Sequence, residues 1–151
     1  MIDSHDYRVE IVGSGEKTGF LTATEDSLPE IYVASPPEFG GPEKVWSPEH
    51  LFVASVASCL MTTFRSIAAR SGVDVLDYTD EAVGRLRRGD DGLYSIETVV
   101  LRPSIVISSD SKMERAQRLI EKAEQVCLIS RSIRSEVILD ASIMQAQPVG
   151  L

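Results

Sequence analysis

Histidine is scarce: His5 and His50 are the only two in 151 residues. No Cys/His spacing fits a zinc site, and no Gly-x-Ser-x-Gly elbow marks a Ser-His-Asp hydrolase. Basic residues are the minority, 15 Lys+Arg against 23 Asp+Glu, for a formal net charge of -8. That balance argues against nucleic acid as a partner and against anionic membrane surfaces. Its plain consequence is solubility. The N-terminal Met1-Ile2-Asp3-Ser4-His5-Asp6 has no basic stretch followed by an apolar one, so no signal peptide is read there. The apolar run from Leu51 to Met61 is broken by serines and gives way to Thr62, Thr63, Arg65 and Ser66, too short and too polar for a membrane span. A cytoplasmic location is the expectation, and no cofactor is implied. Cysteine is nearly absent as well: Cys59 and Cys127 are the only two. In a reducing compartment such a pair is a reactive dithiol or two buried small hydrophobes, rather than a permanent crosslink.

The length suits one domain, residues 1–151, large enough for a core without staples. No internal repeat or low-complexity tract occurs. Three β-like runs open the chain, Tyr7 to Val12, Gly19 to Thr24 and Glu30 to Ala34, separated by Gly13-Ser14-Gly15 and Ser27-Leu28-Pro29. The segment Gly13 to Gly19 lacks the order of a phosphate-binding loop and reads as a hairpin turn. A Pro/Gly loop follows over residues 35–42.

A long helix then begins with Ser47 as N-cap, Pro48 at N1 and Glu49 in the first turn, and Gly72 suits its C′ position. From Leu51 to Met61 it is apolar or small on nearly every side, which predicts burial all round and a second copy of the chain to complete it. Next comes a hairpin, Tyr78 to Leu86 and Leu93 to Leu101, around Gly89-Asp90-Asp91-Gly92. Pro103 marks a bend or an edge. A second helix starts at Ser111 with Glu114 three residues on, a capping box. Its apolar face, Ala116, Leu119, Ile120, Ala123, Val126 and Cys127, has helical spacing. A last strand runs from Glu136 to Ile143. The order βββ-α-ββ-α-β is an α+β arrangement.

Ser47-Pro48-Glu49-His50-Leu51 with Cys59 ten residues after the glutamate, followed by Cys127-Leu128-Ile129-Ser130, resembles the OsmC/Ohr family (osmotically inducible protein C and organic hydroperoxide resistance protein). The resemblance covers nearly the whole chain. It implies an intertwined homodimer with the cysteine helices at its centre, and a thiol peroxidase acting on organic hydroperoxides. Carried over, Cys59 is the peroxidatic sulfur, which becomes a sulfenic acid, and Cys127 resolves it to a disulfide. A dithiol such as dihydrolipoamide is the implied reductant. Glu49 is the third implied site residue. Ten residues of helix rise about 15 Å, so Glu49 would serve Cys59 from the other subunit rather than along its own helix.

Two departures from the family pattern stand out. Family enzymes hold an arginine, from the segment before the cysteine helix, near the thiolate. This chain has none between Arg8 and Arg65, and only Lys44, or His50 of a partner chain, offers a replacement. Leu128 replaces the usual proline after the second cysteine, and Arg131 lies four residues beyond that cysteine. The alternative reading is therefore a non-catalytic module of the same fold that binds a hydrophobic or acyl ligand at the dimer interface. In a third, the cysteines are only core residues.

Overall fold

In the computed structural model, which describes residues 2–14, 18–22 and 28–147, the first long helix begins where Ser47 predicts. Ser47 is fully buried, and its Oγ accepts the His50 backbone N–H at 3.3 Å. The same Oγ lies 2.8 Å from His50 Nδ1, to which its hydroxyl can donate. Helix α1 spans Pro48–Arg70. It ends in a Schellman motif: Val73 N–H reaches the Ala68 carbonyl at 3.0 Å, and Gly72 N–H reaches Ala69 at 3.3 Å. Gly72 sits at φ +68, a conformation that costs a side-chain-bearing residue and not glycine.

The chain forms two compact units, residues 1–51 and 52–151. The first holds β1 (Glu10–Ser14), β2 (Thr18–Thr22) and β3 (Ile31–Ala34), an antiparallel sheet in that order. The first strand starts at Glu10 rather than Tyr7. The expected end of the second, Ala23 and Thr24, and the turn residue Gly15 lie outside the described residues. After the Pro/Gly loop, Ala34 N–H donates to the Trp46 carbonyl at 2.9 Å, which fixes the approach to the Ser47 cap.

The second unit is built on one long, bent hairpin and a parallel third strand. The expected strand from Tyr78 to Leu86 is two segments, β4 (Val75–Asp80) and β5 (Val83–Arg88). The return strand is β6 (Tyr94–Leu101) and β7 (Pro103–Ile107). Register carries across the break, with Asp80 opposite Pro103 and Val83 opposite Val100. The last strand divides at the same level into β8 (Glu136–Leu139), parallel to β6, and β9 (Ser142–Gln145), parallel to β7. Leu101 faces Leu139, and Ser104 faces Ser142. Pro103 does mark the bend, but not an edge: it opens β7, the central strand between β4 and β9, and is fully buried. A proline at the first residue of a strand forfeits no ladder bond the strand needs.

Helix α2 (Met113–Val126) follows β7. The capping box expected at Ser111 does not form. Lys112 occupies the N-cap without a side-chain bond. Ser111 Oγ instead accepts the Asp74 N–H at 3.0 Å and pairs with Ser108 Oγ at 3.0 Å, so a long-range donor takes the place of the local one. Ala116, Ile120 and Ala123 form the buried face as the spacing predicts, whereas Val126 is 47% exposed.

One core joins Val56, Leu60, Phe64 and Ala68 of α1 to Val99, Leu101, Ile105 and Ile107 of the sheet and to the buried face of α2. Burial of α1 all round is not met within one chain. The i, i+4 stripe is closed off, while Phe52, Val53, Ala54 and Met61 stay half-buried and Ser58 exposed. By length and composition α1 also reaches the hydropathy of a membrane span, 1.5 over its 18-residue window, against the sequence expectation. Its stripe nonetheless packs into the core.

Gly84 of β5 lies directly under α1, where a Cβ would run into Val53 Cγ2. Gly84→Ala is therefore expected to overpack this contact and destabilise the protein by about 1–3 kcal/mol. A urea titration at constant m-value would show it, and an unchanged midpoint would mean that the helix moves away freely.

Candidate functional site

Cys59 and Cys127 are brought together because their helices share a core. Cys59 follows Val56 by three residues on α1, and Cys127 follows Ala123 by four, immediately after α2 ends. Cys127 is thus not helical, as the spacing suggested, but the residue that closes the helix. Its N–H donates to the Glu124 carbonyl at 3.1 Å while its own φ, ψ of -60, 120 are extended. Cys59 is half-buried, Cys127 fully buried, and both are free thiols.

The extended conformation of Cys127 begins a second, tighter turn. Its carbonyl accepts the Arg131 N–H at 3.1 Å, and a 3-10 turn over Ser130–Ser132 is closed by Ser132 N–H to the Ile129 carbonyl at 2.9 Å. Ser132 Oγ adds a bond to the Leu128 carbonyl at 2.7 Å. The first N–H groups of such a turn have no partner inside it. Those of Leu128 and Ile129 favour the thiolate at Cys59, and that of Ser130 the thiolate at Cys127.

The pKa values of the two thiols shift in opposite directions. Burial alone would raise the pKa of Cys59. The Cys127 thiol, the Ile129 N–H, the Thr63 hydroxyl and the Leu128 N–H outweigh it, and the net shift is downward. Thr63 Oγ1 stands 4.0 Å from Cys59 Sγ, one helical turn on. For Cys127, burial and then the bond to Cys59 push the pKa up, and Ser130 opposes this through its side chain and its N–H. A low-pKa, partly accessible sulfur beside a buried partner is the arrangement a dithiol needs in order to cycle. No cation enters the balance at Cys59 among the described residues.

The other candidates are placed as follows. Glu49 is the second residue of α1, in the first unit, and its Oε2 is buried without a hydrogen-bond partner. Helix rise puts about 15 Å between it and Cys59 of its own helix. His50 is exposed, bonded to Ser47 and edge-on to Trp46 at 6.2 Å between ring centroids. Lys44 is exposed, at φ 62. The Arg131 side chain is exposed too, and this residue serves the turn through its backbone. Thr63 and the backbone donors were missed in the sequence. The signal for Thr63 was its i+4 position from Cys59. No residue type announces a backbone N–H. Among the described residues no group of three or more His, Cys, Asp or Glu is placed to hold a metal ion.

Comparison with known proteins gives a consistent result. Residues 41–142 match the family described as OsmC-like protein. The chain is similar to the uncharacterised protein YmaD of Bacillus subtilis, 29% identical over 116 residues, which cover 74% of this chain and 77% of that protein. It is also similar to the organic hydroperoxide resistance protein OhrB of Bacillus subtilis, 21% identical over 131 residues, 87% of this chain and 93% of that one. Among solved structures, an OsmC-like protein of unknown function from Vibrio cholerae superposes with a TM-score of 0.83 at 27% identity, over 93% of this chain and 100% of that one.

A thiol whose folded-state pKa lies below its unfolded one adds stability above the unfolded value, and that stability is lost as pH falls through the folded value. Cys59 is such a group, and Cys127 is its opposite. Site-resolved alkylation with iodoacetamide should give Cys59 the lower midpoint. Thr63→Val should move that midpoint upward. A lower midpoint at Cys127 would contradict the donor geometry.

Proposed function

The chain belongs to the OsmC-like family, and on that premise we propose that it is a thiol-dependent peroxidase reducing organic hydroperoxides. The observation that carries this reading is the pairing of half-buried Cys59 with buried Cys127, whose thiol, together with the Ile129 and Leu128 N–H groups, favours the Cys59 thiolate. The Cys59 thiolate attacks the peroxide oxygen, the O–O bond breaks, and the alkoxide takes a proton to leave as an alcohol. Cys59 is left as a sulfenic acid. Cys127 then attacks the Cys59 sulfur, the S–S bond forms, and the S–O bond breaks to release water. A dithiol such as dihydrolipoamide returns the pair to the reduced state. The printed name of the Bacillus subtilis relative OhrB, organic hydroperoxide resistance protein, supports the substrate class. So does the uncharged stretch of α1 around Cys59, which suits a fatty or aromatic hydroperoxide better than hydrogen peroxide.

The working unit in this proposal is a homodimer in the cytoplasm. The half-buried apolar side chains of α1 favour a second copy of the chain. Glu49, with an unpartnered buried oxygen, then serves the site of the other subunit. The rival reading, a ligand-binding module without catalysis, drew on the missing arginine. The Cys127 thiol and the Ile129 and Leu128 N–H groups support the peroxidase reading instead, because donors favour a thiolate as a cation does.

The test is a thiol titration before and after one equivalent of cumene hydroperoxide. Both thiols should disappear rapidly, without an intermolecular crosslink. Loss at the rate of a free cysteine would sink the proposal. Cys59→Ser should abolish the reaction, and Cys127→Ser should leave a sulfenic acid that a specific reagent traps.

A further inference from the structure

Resolution of a sulfenic acid needs charge on the second sulfur, and Cys127 is badly placed to acquire it. It is fully buried, and its own partner, Cys59, works against its ionisation. Ser130 is the exception in these surroundings. Its Oγ is buried and makes no regular hydrogen bond with any other group. A buried hydroxyl without a partner costs about 1–3 kcal/mol, so its retention calls for an explanation. The turn supplies one. Closure of Arg131 N–H onto the Cys127 carbonyl holds Ser130 inside the turn that Cys127 opens, where its side chain and its N–H both favour the Cys127 thiolate.

We propose that Ser130 is the residue that activates Cys127 for the resolving step, its hydroxyl donating to the sulfur as negative charge develops there. This rests on the peroxidase reading and deepens it. The Cys127 proton ends on the hydroxide expelled from the Cys59 sulfenic acid, giving water. The S–S bond replaces the S–O bond, and Ser130 gains and loses no proton overall. In the resting dithiol the hydroxyl has no acceptor other than a neutral thiol, a weak one. As Cys127 ionises, that contact becomes a charge-assisted bond, roughly twice as strong as a neutral one.

The experiment follows one equivalent of cumene hydroperoxide with a sulfenic-acid-specific reagent, and follows disulfide formation by mass spectrometry. Ser130→Ala should accumulate the Cys59 sulfenic acid and form the disulfide about tenfold more slowly, as expected for one lost charge-assisted bond. Ser130→Thr, which keeps the hydroxyl, should restore the rate. Disulfide formation in Ser130→Ala at the wild-type rate would overturn the assignment. If neither protein oxidises, the peroxidase reading has failed, and a second measurement still decides the role of Ser130. In a Cys59→Ser background, thiolate absorbance at 240 nm reports Cys127 alone. Its midpoint should rise on adding Ser130→Ala, and an unmoved midpoint would equally overturn the proposal.

Discussion

A negative charge on sulfur inside a protein survives only where donors are aimed at it, and here the donors are peptide N–H groups freed by a change of helical turn. Helix α2 stops at Val126, Cys127 turns extended, and a tighter turn begins at once. That single discontinuity does three things. It buries the Cys127 sulfur, it leaves the Leu128 and Ile129 N–H groups without partners inside the turn, and it lets them favour the Cys59 thiolate. A straight continuation of α2 would have consumed the same N–H groups in its own ladder. Leu128, unlike the proline usual at this place in the family, keeps an N–H to give. The substitution that looked like a loss in the sequence thus adds a donor.

The discontinuity is held in place from a distance. The sheet and both helices meet in one core, and the ends of α2 are anchored separately. At its start, Ser111 Oγ takes the Asp74 N–H, and Gln145 Nε2 donates to the carbonyls of Ser109 and Ser111 at 2.8 and 2.7 Å. At its far end Ser135 Oγ reaches the Ile96 carbonyl at 2.6 Å, just beyond the turn. Both anchors tie to the strands, or to the residue just before one, in the part of the chain that shares a core with α1.

Much of this was legible in the residues. Ser47, Pro48 and Gly72 placed the ends of α1 because caps are local chemistry, written within a few positions. The spacing of Ala116, Ile120 and Ala123 gave the buried face of α2 for the same reason. What escaped was settled by long-range contact. Ser111 carried the pattern of a capping box, yet a donor 37 residues away claimed its hydroxyl. Two strands appeared continuous because the interruptions at Glu81–Ala82 and at Asp140–Ala141 fall where neighbouring strands also break, and a single segment cannot show that. At the site, Cys59, Cys127 and Ser130 were visible as side chains. The thiolate's backbone donors have no letter in the sequence, and Thr63 gained meaning only once the helix placed it beside Cys59.

The two sulfurs influence each other's ionisation yet lie far apart along the chain, at positions 59 and 127. A bond between them would close a loop holding the whole hairpin and α2. Closing a loop of about 70 residues removes unfolded-state entropy worth on the order of 4 kcal/mol in the chain-entropy model. The oxidised form would then be the more tightly knotted of the two against unfolding. Opening the bond would return the molecule to its looser topology.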